Sequence, residues 1–235
     1  GLTGANSVLL GADAAWHRIL MEATGGAVSI GGTNTLTLGA GGIDMSAASQ
    51  DLTISSNLAL GQGTQAWNVP DGRSLTLETG AFTRGAGSTL GFLGSGTVSA
   101  NMAGLENDPT GIIGPWATTG SGSIARFATL AGGTINAYTT GTATTWGGTV
   151  NSATANYEIS AAGPSTYGAS ERVANTIRYT GPSGTTISLG NNSATGLTTN
   201  SILNAGTGTL TFNHGTGALT AAGIHIGPSR ELVLN

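Results

Sequence analysis

Acidic side chains are the first place to look for chemistry in this chain, because two carboxylates side by side can act as a general acid and a general base. They lie at positions 13, 22, 44, 51, 71, 78, 106, 108, 158, 171 and 231. Glu106 and Asp108 form one close pair, but a two-residue spacing beside Pro109 is more typical of a solvated turn. In β-helical lyases and glycosidases, acids and an arginine gather on one face, and Glu158, Glu171 and Arg172 are the alternative group of that kind. We expect no catalytic site from either group.

Metal and cofactor motifs are also missing from the sequence. His17, His214 and His225 are isolated and match no zinc spacing, so no metal site is predicted. Residues 39–44 (GAGGID) approach a calcium-binding repeat motif but lack its second glycine and its tandem repetition, so a tight turn is predicted. Residues 85–91 (GAGSTLG) miss the dinucleotide spacing GxGxxG by one position. No cofactor is expected.

The charged residues exclude further classes. All seven basic residues are arginines, so a Walker-type phosphate loop and a Schiff-base lysine are excluded. A net charge of −4 with no basic cluster predicts no nucleic-acid partner. The absence of cysteine excludes disulfides and thiolate zinc sites. No stretch approaches the roughly 18 consecutive apolar residues of a membrane helix, so no membrane-spanning segment is predicted.

Aromatic side chains are the candidate ligand contacts. Trp16, Trp67, Trp116 and Tyr138 could stack on sugar rings, and we take Trp116 and Tyr138 as the candidate glycan contacts. The competing interpretation, which we favour for each ring, is packing at a corner of the fold. A sequon at Asn191 leaves glycosylation open.

The sequence predicts that short β-strands position these side chains. Apolar residues alternate with Thr or Ser in five stretches, as expected for half-buried strands. These stretches are 35–38, 52–55, 75–77, 185–189 and 207–212. Clusters rich in Gly, Asn and Ser separate them and supply turns, whereas helix-forming residues are scarce. The chain therefore predicts an all-β fold of repeated strand and turn.

Two all-β architectures compete for this pattern, a β-solenoid and a β-sandwich. Leu36, Leu52, Leu75 and Leu90 begin successive strand groups 16, 23 and 15 residues apart, which predicts coils of roughly 20 residues and about ten coils. Only 12 aromatic residues are available, fewer than a sandwich core would favour. We therefore predict a β-solenoid, specifically a right-handed parallel β-helix with one irregular insertion, and keep the sandwich as the alternative.

Local composition divides the chain into three segments. Residues 1–105 and 149–235 are predicted to be solenoid segments. Residues 106–148, with Pro109, Pro115 and several aromatic rings close together, are predicted to form an insertion or a corner that packs its rings on the solenoid.

These stretches resemble the autotransporter-associated β-strand repeat proteins of bacterial surfaces. The likeness lies in residues 34–61 (NTLTLGAGGIDMSAASQDLTISSNLALG), 65–82 (QAWNVPDGRSLTLETGAF), 111–139 (GIIGPWATTGSGSIARFATLAGGTINAYT) and 201–212 (SILNAGTGTLTF). The resemblance implies a right-handed parallel β-helix within a large exported protein that takes part in adhesion or surface coating. It implies little about molecular activity.

The function we predict is a non-enzymatic extracellular structural protein, a β-solenoid unit of a bacterial surface fibre, adhesin stalk or matrix. Its partner would be itself, as a homopolymer or as adjoining repeats of a longer chain. We expect the joining surfaces to be Val8, Leu9 and Leu10 near the start and Leu232, Val233 and Leu234 at the end. The chain begins without Met, so we expect a processed product or a segment. Alternatives are a carbohydrate-binding adhesin module that recognises surface glycans through residues 106–140, and a β-helical polysaccharide lyase or glycosidase.

Overall fold

The described part of the chain is nearly all β, and its stacked parallel strands form a β-solenoid of about 8 turns. This architecture confirms the solenoid prediction over the sandwich. The structure is a computed structural model, and it describes residues 4–144, 150–160, 171–182, 184–189, 196–213, 223–227 and 231–234. Within these ranges, one short 3₁₀ helix, Gly122–Ile124, interrupts the strands.

The chain divides into two compact units. Unit 1 comprises Gly1–Gly120 and Ala128–Ala137, and unit 2 comprises Ser121–Phe127 and Tyr138–Asn235. The boundaries predicted at residues 105 and 148 are based on local composition, whereas the two units are defined by how compactly the chain folds. The predicted boundaries therefore stay predictions.

The strands of unit 1 are short and follow one another closely. They are β1 (Asn6–Leu9), β2 (Ala14–Leu20), β3 (Val28–Gly31), β4 (Thr35–Asp44), β5 (Leu52–Ile54), β6 (Asn57–Leu60), β7 (Thr64–Asn68), β8 (Ser74–Arg84), β9 (Thr89–Leu93), β10 (Thr97–Ala103), β11 (Ala117–Thr119), β12 (Arg126–Ala131) and β13 (Thr134–Ala137). The first two residues of β12 belong to unit 2.

Ladder 1 of unit 1 consists of β1, β3, β5, the first part of β8, and β10, all parallel. Asn6 pairs with Val28, Val28 with Leu52, Leu52 with Leu75, and Leu75 with Val98. These partners are 22, 24, 23 and 23 residues apart, so each coil here is a few residues longer than the roughly 20 predicted.

Two further parallel ladders complete each coil of unit 1. Ladder 2 joins the first parts of β2 and β4 to β6 and the second part of β8. Ladder 3 joins the second parts of β2 and β4 to β7, β9 and β11. A coil therefore contains three strand segments, and several strands bend from one ladder into the next.

The bend in β4 lies in the stretch that resembles a calcium motif, 39–44. Gly42 has φ +59°, and a Cβ there would lie 2.3 Å from the backbone oxygen of Ala66. Asp44, at the end of β4, accepts a hydrogen bond from the N–H of Ser46 at 3.0 Å, and this bond lowers the pKa of its carboxyl. The glycines therefore let the strand turn a corner against the next coil.

Alternation along each strand separates the interior from the surface. Leu52, Ile54, Leu75 and Leu77 have no solvent exposure, and each pairs with an apolar residue of the neighbouring coil. The residues between them on ladder 1 form an outward row of Ser and Thr at positions 29, 53, 76 and 99. The period-two pattern of the sequence therefore marks the interior correctly.

An antiparallel hairpin meets the last strand of ladder 1. Strands β12 and β13 pair with each other through a turn at Gly132 and Gly133, both with positive φ. Thr134 of β13 then pairs antiparallel with Ser99 of β10. This hairpin lies in the predicted insertion and covers the edge of β10 with a different pairing pattern.

The strands of unit 2 also stack in parallel. They are β14 (Thr142–Thr144), β15 (Asn151–Ile159), β16 (Arg172–Tyr179), β17 (Thr185–Ser188), β18 (Leu197–Thr199), β19 (Ser201–Asn204), β20 (Leu210–Asn213), β21 (Ile224–Ile226) and β22 (Val233–Leu234). Coil length varies here: Tyr157 pairs with Ile177, Ile177 with Ile202, and Ser201 with Val233, which are 20, 25 and 32 residues apart.

A row of buried asparagines runs through successive coils of unit 2. The side-chain amide of Asn175 donates to Oδ1 of Asn156, and that of Asn200 donates to Oδ1 of Asn175, both at 2.8 Å. All three residues are at most 6% exposed. Because an amide is both donor and acceptor, each coil bonds the next through identical side chains.

Replacing an inward residue of ladder 1 should destabilise unit 1 far more than replacing its outward neighbour. Leu75→Ala should lower the free energy of unfolding by about 2–5 kcal/mol, because it leaves a cavity between coils. Thr76→Ala, on the half-exposed face of the same strand, should change it by less than about 1 kcal/mol. Urea denaturation followed by circular dichroism measures both, and equal losses would contradict the assigned orientation of β8.

Candidate functional site

The densest charged group in the described part of the chain is a cluster of Arg126, Glu158 and Arg178, all in unit 2. Glu158 on β15 and Arg178 on β16 are direct partners in register. Nη1 of Arg178 lies 2.8 Å from Oε1 of Glu158, and Nη1 of Arg126 lies 2.9 Å from Oε2. One carboxylate therefore bridges two guanidinium groups.

Arg178 is the buried member of this arginine–glutamate cluster. Its side chain is 7% exposed, and burial lowers the pKa of its guanidinium, a shift that Glu158 opposes. Its Nε donates to the backbone oxygen of Ala125 at 2.7 Å, and its Nη2 donates to that of Ser123 at 2.9 Å. Through these hydrogen bonds, Arg178 links the 3₁₀ helix and the residue after it to strand β16 of unit 2.

A small cavity adjoins the arginine–glutamate cluster. Its lining comprises Phe127, Tyr138, Gly141, Asn156, Tyr157, Glu158, Thr176 and Arg178. The volume is about 10 Å³, which holds about one water molecule. Both carboxylate oxygens of Glu158 already accept hydrogen bonds from arginine. The geometry therefore suits a structural ion cluster and leaves no room for a sugar.

The predicted grouping of Glu158 with Glu171 and Arg172 does not match the strand register. Arg172 lies at the start of β16 and pairs with Leu197 of β18, whereas Glu158 of β15 pairs with Arg178 near the other end of β16. The carboxylate of Glu171 accepts a hydrogen bond from the hydroxyl of Thr198 instead.

The close pair Glu106 and Asp108 is used within its own loop. Oε2 of Glu106 accepts the N–H of Gly104 at 2.9 Å. Oδ1 of Asp108 accepts both the N–H and the hydroxyl of Thr110, at 2.8 and 2.6 Å. These bonds agree with the turn interpretation of the two carboxylates.

A wider polar cavity lies in unit 1, where three successive coils turn into ladder 1. It measures about 400 Å³ and is lined by Asp51, Asp71, Gly72, Arg73, Ser74, Ser95, Gly96 and Thr97. Arg73 donates to the backbone oxygen of Ser49 at 2.9 Å, and its Nη1 lies 3.9 Å from Oδ1 of Asp51. No aromatic ring lines this cavity.

The two candidate glycan contacts fall in different units. Trp116 in unit 1 is 8% exposed and stacks on Phe82, with ring centroids 5.7 Å apart and an angle of 13° between the rings. The guanidinium carbon of Arg84 lies 5.2 Å from the centroid of the Trp116 ring. Tyr138 in unit 2 is half-buried beside the small cavity. A sugar platform needs an exposed ring face, so the placement of Trp116 favours the packing interpretation.

Other predicted positions have simpler placements. His17 and His225 are exposed, and Trp67 is fully buried, edge-on to Phe92. His214 and the sequon at Asn191 lie outside the described residues. Among the residues that the structure describes, no three His, Asp or Glu side chains gather as metal ligands. The described part of the chain also contains no helix of the length and apolar character needed to cross a membrane.

The predicted joining residues lie on, or next to, the outermost strands of their ladders. Val8 and Leu9 on β1 are 42% and 76% exposed, whereas Leu10 is buried. On β22, Leu234 is 67% exposed and Val233 is buried; Leu232 just before it is half-buried. Sequence reasoning missed the exposed apolar residues Leu20 on β2 and Ile226 on β21, which also lie on outermost strands.

Removing Glu158 should destabilise the fold, because Arg178 would stay buried without its counter-charge. Glu158→Ala should lower the free energy of unfolding by about 3 kcal/mol. Glu171→Ala, which removes an exposed carboxylate of the same unit, should cost less than about 1 kcal/mol. Urea denaturation of the two variants measures the difference, and a Glu158→Ala protein as stable as the parent would refute the structural role of the cluster.

Comparisons with protein-family models, with curated proteins and with solved structures find no match to this chain. The resemblance to autotransporter-associated repeats therefore stays a prediction, and the solenoid assignment rests on the observed strand pairing.

Proposed function

We propose that this chain is a non-enzymatic extracellular structural protein, a β-solenoid unit of a bacterial surface fibre, adhesin stalk or matrix that assembles end to end. The observation that carries the proposal is the pair of apolar edge strands, β1 and β22. Each has a hydrogen-bonded neighbour on one side only within the described residues.

An edge strand in a parallel ladder is a template for another strand. Its free side presents backbone N–H and C=O groups in the spacing that the ladder already uses. Most proteins protect such edges with charges or bulges, but β1 presents Val8 and Leu9, and β22 presents Leu234. Joining β22 of one copy to β1 of the next would pair backbone groups and remove these apolar side chains from water.

The joining of unlike surfaces has a consequence for the assembly. A head-to-tail contact does not close on itself unless the rotation between copies brings the ends together, so it propagates as a filament. The low charge of the chain, 18 charged residues of 235, adds little repulsion between copies. Both properties suit a fibre or a stalk.

The alternatives have weaker support. A lyase or glycosidase needs accessible acids, whereas Glu158, Glu106 and Asp108 are engaged in ion pairs or turns. A carbohydrate-binding module centred on residues 106–140 needs an open aromatic platform, and Trp116 is buried. The extracellular location rests on the Gly-, Thr- and Ser-rich composition and on the resemblance to surface repeats.

Charge placed on either edge strand should block assembly. We expect the purified chain to form elongated particles as its concentration rises, and Leu9→Arg or Leu234→Arg to weaken this association at least about tenfold, because a guanidinium would be buried at the joint. Ile124→Arg is the matched control, since Ile124 is 71% exposed but lies outside β1 and β22. Electron microscopy and sedimentation velocity across a concentration series give the readout.

Two results would contradict the proposal. If the parent chain stays monomeric at every concentration, it does not self-assemble and the proposal is wrong. Edge variants that assemble as well as Ile124→Arg would show that the joint lies elsewhere.

A further inference from the structure

The loop before β11 contains a peptide bond with unusual chemistry, Asp108–Pro109. The other prolines follow Val69, Gly114, Gly163, Gly181 and Gly227, so this is the one Asp–Pro bond of the chain. It lies in unit 1, in a tight turn in which the N–H of Gly111 donates to the backbone oxygen of Asp108 at 3.0 Å. Pro109 is exposed to solvent.

We propose that this turn is a site of self-cleavage, an activity separate from the proposed structural function. The side-chain carboxyl of Asp108 attacks the carbonyl carbon of its own residue and closes a five-membered ring. The bond from that carbon to the nitrogen of Pro109 breaks, and the carboxyl proton passes to the proline nitrogen, which leaves as a secondary amine. Water then opens the cyclic anhydride to give a C-terminal Asp108 with two carboxyl groups. The net reaction adds one water molecule.

Three groups of the turn favour this reaction. The N–H and the hydroxyl of Thr110 hold Oδ1 of Asp108, and Oδ2 accepts no hydrogen bond from the described residues. The backbone N–H of Asp108 donates to the oxygen of Ile112 at 2.7 Å, which fixes the chain on the other side. A nucleophile held beside its target loses little entropy on the way to the transition state.

The reaction also needs stabilisation of the negative charge that develops in the transition state, and the N–H of Gly111 provides it. When the carboxyl oxygen attacks, the backbone oxygen of Asp108 becomes an oxyanion. That oxygen is the acceptor of the Gly111 hydrogen bond, so the donor is in place before the reaction. Glu106, the nearest acid along the chain, is bonded to the N–H of Gly104.

After cleavage, the two parts of unit 1 would stay associated through their packing and strand pairing. On the far side of the bond, Ile112, Ile113 and Trp116 are buried in the unit. Strand β11 remains paired with β9, and β13 with β10. We therefore infer a nicked but assembled protein whose two chains separate only on denaturation.

The test is incubation of the full chain at about pH 4, with and without urea, followed by intact-mass spectrometry. Circular dichroism confirms that the urea-free sample is folded. We expect fragments 1–108 and 109–235, the second beginning Pro-Thr-Gly, to appear at least about tenfold faster in the folded protein than in urea. The folded product should elute as one species in size-exclusion chromatography.

The controls separate self-cleavage from general acid hydrolysis. Asp108→Asn keeps the side-chain oxygen that Thr110 bonds but replaces the carboxylic acid with an amide, a weaker nucleophile, and should slow the appearance of the fragments at about pH 4 at least about tenfold. Thr110→Val should slow their appearance in the folded protein and leave the rate in urea unchanged. Asp51→Asn, elsewhere in unit 1, should cleave like the parent. Absence of fragments, or a folded rate no faster than the unfolded rate, would overturn the proposal whether or not the chain forms fibres.

Discussion

The hydrogen-bond register between successive coils is the constraint on which the rest of this structure depends. Adjacent strands of a parallel ladder lie about 4.8 Å apart, so each side chain sits beside its counterpart in the next coil. In ladder 1 this places Leu52 beside Leu75, and Thr53 beside Thr76. The interior therefore becomes a column of apolar residues, and the surface becomes rows of small hydroxyl side chains. The same constraint explains the glycines at the bends, where neighbouring coils leave no space for a Cβ.

The strand pattern was predictable from the sequence, whereas the coil length was not. Alternation of apolar residues with Thr and Ser is local, and it identified the interior of β5 and β8 correctly. The spacing of Leu36, Leu52, Leu75 and Leu90 misled, because these residues do not belong to one ladder. Leu52 pairs with Leu75 on ladder 1, but Leu36 pairs with Leu58 on ladder 2, and Leu90 pairs with Ala117 on ladder 3. The spacing of these four leucines therefore mixes strands of three ladders and does not measure the length of a coil.

The arginine–glutamate cluster shows why a site on a solenoid is hard to read from sequence. Arg126 and Glu158 are 32 residues apart, and Glu158 and Arg178 are 20 apart. Coils of unit 2 differ in length, so no fixed period relates these positions. The packing of Trp116 was hard to predict for the same reason, since its stacking partner Phe82 lies 34 residues earlier, on the preceding coil. Strands β1 and β22 lie at the ends of their ladders, whereas the role predicted for residues 8–10 and 232–234 as joining surfaces stays a prediction.

Distances between spin labels along the outward row of ladder 1 test the solenoid most directly, because the chain has no native cysteine to interfere. Cysteines at Thr53 and Thr76 should report backbone positions about 5 Å apart, and cysteines at Ser29 and Ser99, three steps apart, about 14 Å. Distances that grow in equal steps from pair to pair would support stacked coils in this register. Distances that do not increase with the number of coils between the labels would contradict the ladder and the account built on it.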